Sequence, residues 1–166
     1  FNGTTIVEWD NVTAQNAEEP MWTWLHPMVF REGYAYVFVS AQAAAICCGP
    51  RSHKLWDPVR YASLNHPGDD YSFDIYSQVV QSARSPQGVD PMGGLKTKRV
   101  LAVANSQSAS RLHTYVNTVQ RDAGVVGQLQ LLRRDEAGPG AACEERGAEA
   151  HPFLVCKGDH LDRQAG

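Results

Sequence analysis

Residues 98–112 read Lys98-Arg99-Val100-Leu101-Ala102-Val103-Ala104-Asn105-Ser106-Gln107-Ser108-Ala109-Ser110-Arg111-Leu112. The apolar run from Val100 to Ala104 is a buried strand in pattern, and it stops at Asn105-Ser106-Gln107. A helical pattern starts at once and carries Leu112, Val116 and Val119 on one side as far as about Val119. A serine on so sharp a strand-to-helix turn is presented with its hydroxyl exposed. The turn brings strand and helix backbones close, so small residues are needed two positions before and after it. Ala104 and Ser108 occupy those positions. The same serines also fit the polar start of a helix, where they cap backbone N–H groups.

Outward from this turn the chain alternates. Thr4 to Trp9 is β-branched and aromatic, hence a strand. Glu18-Glu19-Pro20 opens a helix, with acids at the positive end of its dipole and proline in the first turn. Met21, Trp24, Leu25, Met28 and Val29 follow at helical spacing, and Pro27 is expected to end or kink that helix near His26. Tyr34 to Val39 is a second, almost wholly apolar strand, as in a parallel sheet covered on both faces. Residues 49–71, rich in Pro, Gly, Asp and His, read as a long loop. Asp70-Tyr71-Ser72 then caps a helix with Phe73, Tyr76, Val80 and Ala83 as its stripe. Residues 85–94 are another loop. Val125-Val126 and Leu129-Leu131-Leu132 point to a strand, and Pro152 to Cys156 to a last one.

These elements predict an α/β fold of three layers, a mostly parallel sheet with helices on both faces. Residues 1–132 form the core, 133–151 a flexible linker poor in large apolar residues, and 152–166 the last strand and tail. In such sheets ligands sit beyond the carboxyl ends of the strands. Ser106, Asn11-Val12-Thr13, Gln42 and Asp159 all follow strands, so they are expected at one rim.

Composition excludes several classes. A formal net charge of −3 over 166 residues gives no footprint for nucleic acid or an anionic membrane. The stretch from Tyr34 to Cys48 is too short to span a bilayer, and a soluble protein is expected. The four cysteines, Cys47, Cys48, Cys143 and Cys156, contain no Cys-x-x-Cys pair and read as buried free thiols. No motif implies a cofactor or a metal. His66 with Asp69 and Asp70 reads as a turn. Asn2-Gly3-Thr4 and Asn11-Val12-Thr13 match the N-glycosylation pattern.

Further segments carry a resemblance. They are Val7-Glu8-Trp9-Asp10-Asn11-Val12-Thr13-Ala14, Arg31-Glu32-Gly33-Tyr34-Ala35-Tyr36-Val37 and Val39-Ser40-Ala41-Gln42. Trp56-Asp57-Pro58, Arg60-Tyr61, Ser63-Leu64 and His66-Pro67-Gly68-Asp69 come next, then Tyr71-Ser72, Asp74-Ile75 and Ser77-Gln78. Ser106-Gln107-Ser108-Ala109, Arg111-Leu112 and Thr114-Tyr115-Val116-Asn117 close the set. In this order they make residues 3–121 resemble the uncharacterised alpha/beta hydrolase domain proteins. The resemblance implies the hydrolase fold and a nucleophile elbow at Ser106. The family's elbow commonly reads Gly-Glu-Ser-Gln-Ser, where this chain has Ala104-Asn105 before the serine. Family members are much longer, so the chain reads as an internal fragment or a truncated member.

On that reading the protein is a serine hydrolase of esterase type acting on a small-molecule ester. Ser106 is the nucleophile and the backbone N–H of Gln107 an oxyanion donor. Asn11 or Val12, after the first strand, supplies the second donor. Asp159 or Asp162 is the acid that orients the base. No histidine follows Asp162, where the fold's chain order of serine, acid, histidine would put the base. A chain without that base is expected to be a poor esterase. The alternatives are a binding or interaction domain that keeps the fold without turnover, and an inactive fragment.

Overall fold

The structure, a computed structural model, describes residues 1–12 and 20–120 together with three later strands. The elements in chain order are β1 (Thr4–Trp9), α1 (Pro20–Glu32), β2 (Ala35–Val39), α2 (His53–Trp56), α3 (Ser72–Arg84), β3 (Arg99–Asn105) and α4 (Gln107–Thr118). The later strands are β4 (Gln128–Leu132), β5 (Ala142–Arg146) and β6 (Phe153–Lys157). They form one sheet in the order β2-β1-β3-β4-β6-β5, parallel throughout except where β5 pairs antiparallel with β6.

The period of two along each strand sorts the core into two layers. Val7 and Trp9 of β1, Val39 after them on β2, and Val100, Ala102 and Ala104 of β3 face one side. There they meet Tyr76 and Val80 of α3 and Leu112 and Tyr115 of α4. Trp9 stacks on Tyr76 with ring centroids 4.7 Å apart. Ile6 and Val103 face the other side against Met21 and Val29 of α1. All of β1 is buried, as its central place between β2 and β3 requires. Glu8, a fully buried carboxylate, shares the face of β1 that carries Ile6. Its carboxylate accepts the Met21 N–H in the first turn of α1 and the Tyr36 hydroxyl of β2.

Four expectations from the sequence need correction or comment. Helix α1 runs through Pro27 to Glu32 instead of ending near His26. Pro27 is exposed, and the carbonyl of Thr23 that its missing N–H would have paired accepts from His26 Nδ1 at 3.1 Å. Cys47 and Cys48 are not buried thiols. They are exposed at the end of the helical turn Ala44–Cys48 and joined to each other by a disulfide. The 49–71 loop is partly ordered into α2 and a helical turn at Asp69–Tyr71. Finally, β5 lies within 133–151, the stretch read as linker. Its sequence, Ala-Cys-Glu-Glu-Arg, has no alternation to signal a strand, and pairing with β6 supplies its backbone hydrogen bonds. The rest of 133–151 lies outside the described residues.

Candidate functional site

The carboxyl ends of β1, β2 and β3 lie side by side, and Ser106 follows the last residue of β3. Ser106 has φ 55° and ψ −119°, and it is the one non-glycine residue at positive φ among the described residues. These angles fit the first central position of a type II′ turn, which glycine usually fills. A side-chain-bearing residue there costs about 1–3 kcal/mol, which the surroundings must offset.

The neighbours of Ser106 supply that offset. Rotating the peptide between Asn105 and Ser106 would let φ return to a negative value, and the Asn105 carbonyl reports the orientation of that peptide. Two donors hold it: Asn11 Nδ2 at 2.8 Å and Ser108 Oγ at 2.8 Å. Ser108 Oγ also accepts the Asn105 N–H at 3.1 Å. Ser108 and Ala104 are fully buried, in keeping with the close approach of strand and helix. The Ser108 hydroxyl is thus spent on the turn. Ser110 is exposed within α4 and gives its N–H to the Ser106 carbonyl at 3.2 Å.

Gln107 opens α4. Its side-chain Nε2 donates to Gln42 Oε1 at 3.0 Å, from the segment that follows β2. Two acceptors flanking Ser106, Asn105 Oδ1 and Gln107 Oε1, are buried and have no hydrogen-bond donor among the described residues. Asn11, at the end of β1, is buried and committed through its side chain to Asn105, while Val12 is half-buried beside it. Asp159 and Asp162 lie outside the described residues, as do His151 and His160.

Each of the four described histidines is engaged elsewhere. His26 Nδ1 donates to carbonyls of its own helix. His113 Nε2 accepts from Asn117 Nδ2 at 3.2 Å, one turn along α4. His66 has both ring nitrogens occupied. Its Nδ1 accepts the Gly68 N–H at 3.1 Å, so Nε2 carries the hydrogen and donates to the Ala41 carbonyl at 3.1 Å. Gly68, at φ 119°, adopts a backbone that other residues resist. His53 Nε2 lies 3.1 Å from Ser40 Oγ, which itself donates to the buried Asp10 carboxylate at 3.1 Å. Sequence reasoning missed this chain of three, because Asp10, Ser40 and His53 sit on separate elements. Only their places just past β1, just past β2 and at the start of α2 relate them.

Among the described residues no three His, Cys, Asp or Glu side chains converge as a metal site would require. No described helix is long and apolar enough to cross a membrane. Of the two glycosylation patterns, Asn11 is closed off by burial. The Asn2 amide donates to the Glu32 carbonyl at 2.7 Å and accepts from the Thr4 N–H at 2.7 Å.

A parallel sheet covered by α1 on one side and by α3 and α4 on the other, with a strained serine between β3 and α4, defines an α/β-hydrolase-type protein. The chain belongs to the alpha/beta hydrolase domain family, whose model matches residues 1–155. No curated protein and no solved structure matches it.

Proposed function

We propose that the protein is a serine hydrolase that transfers an acyl group from a small-molecule ester to Ser106. The observation that carries this reading is the positive φ of Ser106, a strained backbone kept by two buried hydrogen bonds to Asn105. The elbow of an acyl-transfer site needs that conformation, whereas a serine serving only as a helix cap uses ordinary extended angles.

In the reaction Ser106 Oγ attacks the ester carbonyl while a histidine takes its proton. The oxyanion accepts from the Gln107 N–H at the start of α4, with the Asn11–Val12 segment giving the second donor. The tetrahedral intermediate expels the alcohol, which recovers the proton. Water then releases the acid and restores Ser106. Asp159 or Asp162 orients the base. No described histidine is assigned as that base, because each is bonded to another group.

The engagement of all four described histidines with other groups favours a second reading, a hydrolase-fold domain that binds without turnover. Hydrolysis of p-nitrophenyl acetate and butyrate by the protein and by Ser106→Ala separates the two. Turnover lost in the variant supports the hydrolase. Turnover equal in both contradicts Ser106 as the nucleophile and favours the binding domain, whereas none in either is the result expected of a chain that lacks the base.

A further inference from the structure

Three consecutive residues after β2 are each held by a different partner. The Ala41 carbonyl accepts from His66 Nε2 at 3.1 Å. The Gln42 side chain accepts from Gln107 Nε2 at 3.0 Å. The Ala43 N–H donates to Asp69 Oδ1 at 2.7 Å. His66 and Asp69 both belong to the loop that leads into α3, so that loop grips the backbone on either side of Gln42. Gln42 itself is only 4% exposed.

The sheet order gives this grip a direction. β1 separates β2 from β3, and Gln42 follows β2 while Gln107 follows β3. The amide bridge therefore spans the carboxyl end of β1, over the segment where Asn11 reaches Asn105. It ends on the first residue of α4. First turns of helices fray, because their N–H groups lack partners within the helix. The N–H of Gln107 is one of these, and it is the group assigned above to the oxyanion. Among the described residues the Gln107 side chain has one hydrogen bond, the one to Gln42, and its Oε1 is buried without a donor.

We infer that Gln42 is a positioning residue: held by His66 and Asp69, it fixes Gln107 at the head of α4 and so aims the Gln107 N–H at the reacting carbonyl. This rests on the hydrolase reading for its catalytic consequence, but the fixing of Gln107 stands without it. Gln42 touches no reacting atom. Its effect passes through the Gln107 side chain, and the 57–71 loop becomes part of the site at one remove.

A double-variant cycle on the whole protein tests this. Gln42→Ala and Gln107→Ala each remove the bridge and leave the Gln107 backbone N–H in place. Each is expected to lower kcat on p-nitrophenyl acetate by about tenfold, less than deletion of an oxyanion donor, with KM within about twofold of the parent. The double variant should be no slower than either single one, because both remove the same interaction. His66→Ala should show part of the same loss. Multiplying losses in the double variant overturn the inference, as does a rise in KM with kcat unchanged. The second arm is amide hydrogen exchange at Gln107 and Ser108, followed beside the urea midpoint. Faster exchange there in Gln42→Ala, at an unchanged midpoint, supports the role whether or not Ser106 reacts, and exchange unchanged from the parent overturns it. A parent protein with no turnover bears on the hydrolase reading alone, and the exchange arm then decides the role of Gln42.

Discussion

Asn11 Nδ2 lies 2.8 Å from the carbonyl oxygen of Asn105 and donates to it in a buried setting. The bond joins the end of β1 to the last residue of β3 and fixes the peptide on which the strained φ of Ser106 depends. Breaking it removes a buried hydrogen bond and also lets the turn relax. Asn11→Ala is expected to lose about 1–2 kcal/mol in urea unfolding. Asn11→Asp should lose more, since a carboxylate would face the carbonyl without a hydrogen to share. Equal stability of Asn11→Asp and the parent would show that the contact does not hold the turn.

The strain itself is measurable. Glycine takes positive φ without cost, so Ser106→Gly should be more stable than Ser106→Ala by about 1 kcal/mol, against the usual entropic penalty of glycine. Denaturant midpoints of the two variants decide it. An alanine variant as stable as the glycine variant would mean that Ser106 is relaxed in solution.

Much of this architecture is legible in the sequence, for identifiable reasons. Val100 to Ala104 is an unbroken apolar run, and the helical stripe of Phe73, Tyr76, Val80 and Ala83 is regular, so local pattern and tertiary burial agree. Ser106 is legible because a strand, a serine between small residues and a helix follow one another without a gap. Pro27 misleads because the rescue of the Thr23 carbonyl comes from the neighbouring His26 ring, a side-chain detail that periodicity does not carry. The ties of Asn11 to Asn105, Gln42 to Gln107 and His66 to Ala41 join residues distant in sequence, and they become visible only once the sheet order is known. β5 is not legible because Ala-Cys-Glu-Glu-Arg carries no apolar alternation, and its place at the edge of the sheet beside β6 emerges only from the strand order.

Alkaline pH should destabilise the core next to α3 and α4. Burial, and then the neighbouring Tyr115 and Glu8, push the Tyr76 hydroxyl well above its ordinary 10.0. Tyr115 is raised too, first by burial and then by Asp74, against a lowering by its hydrogen bond with Ser77. Both groups hold their protons more tightly when folded. Their contribution is therefore complete below pH 10 and is lost as pH climbs through the folded values. Unfolding temperature should fall above pH 10, and Tyr76→Phe should flatten that fall. The variant also gives up the bond from the Tyr76 hydroxyl to the Val7 carbonyl, so its stability at neutral pH should be lower by about 1 kcal/mol. A pH profile identical to the parent's would contradict this account.

The disulfide between Cys47 and Cys48 predicts a simple alkylation pattern. Peptides covering these residues should take up no iodoacetamide in unfolding buffer until a dithiol reductant is added, and then two equivalents. Alkylation of Cys47 or Cys48 without reductant would show that the pair is free.

The most direct test of Ser106 as the reactive group is covalent labelling with a fluorophosphonate, followed by peptide mapping. The account predicts a single adduct on Ser106 that is lost in Ser106→Ala, with Ser108 and Ser110 unmodified. An adduct on Ser108 or Ser110, or labelling undiminished in the variant, would contradict it.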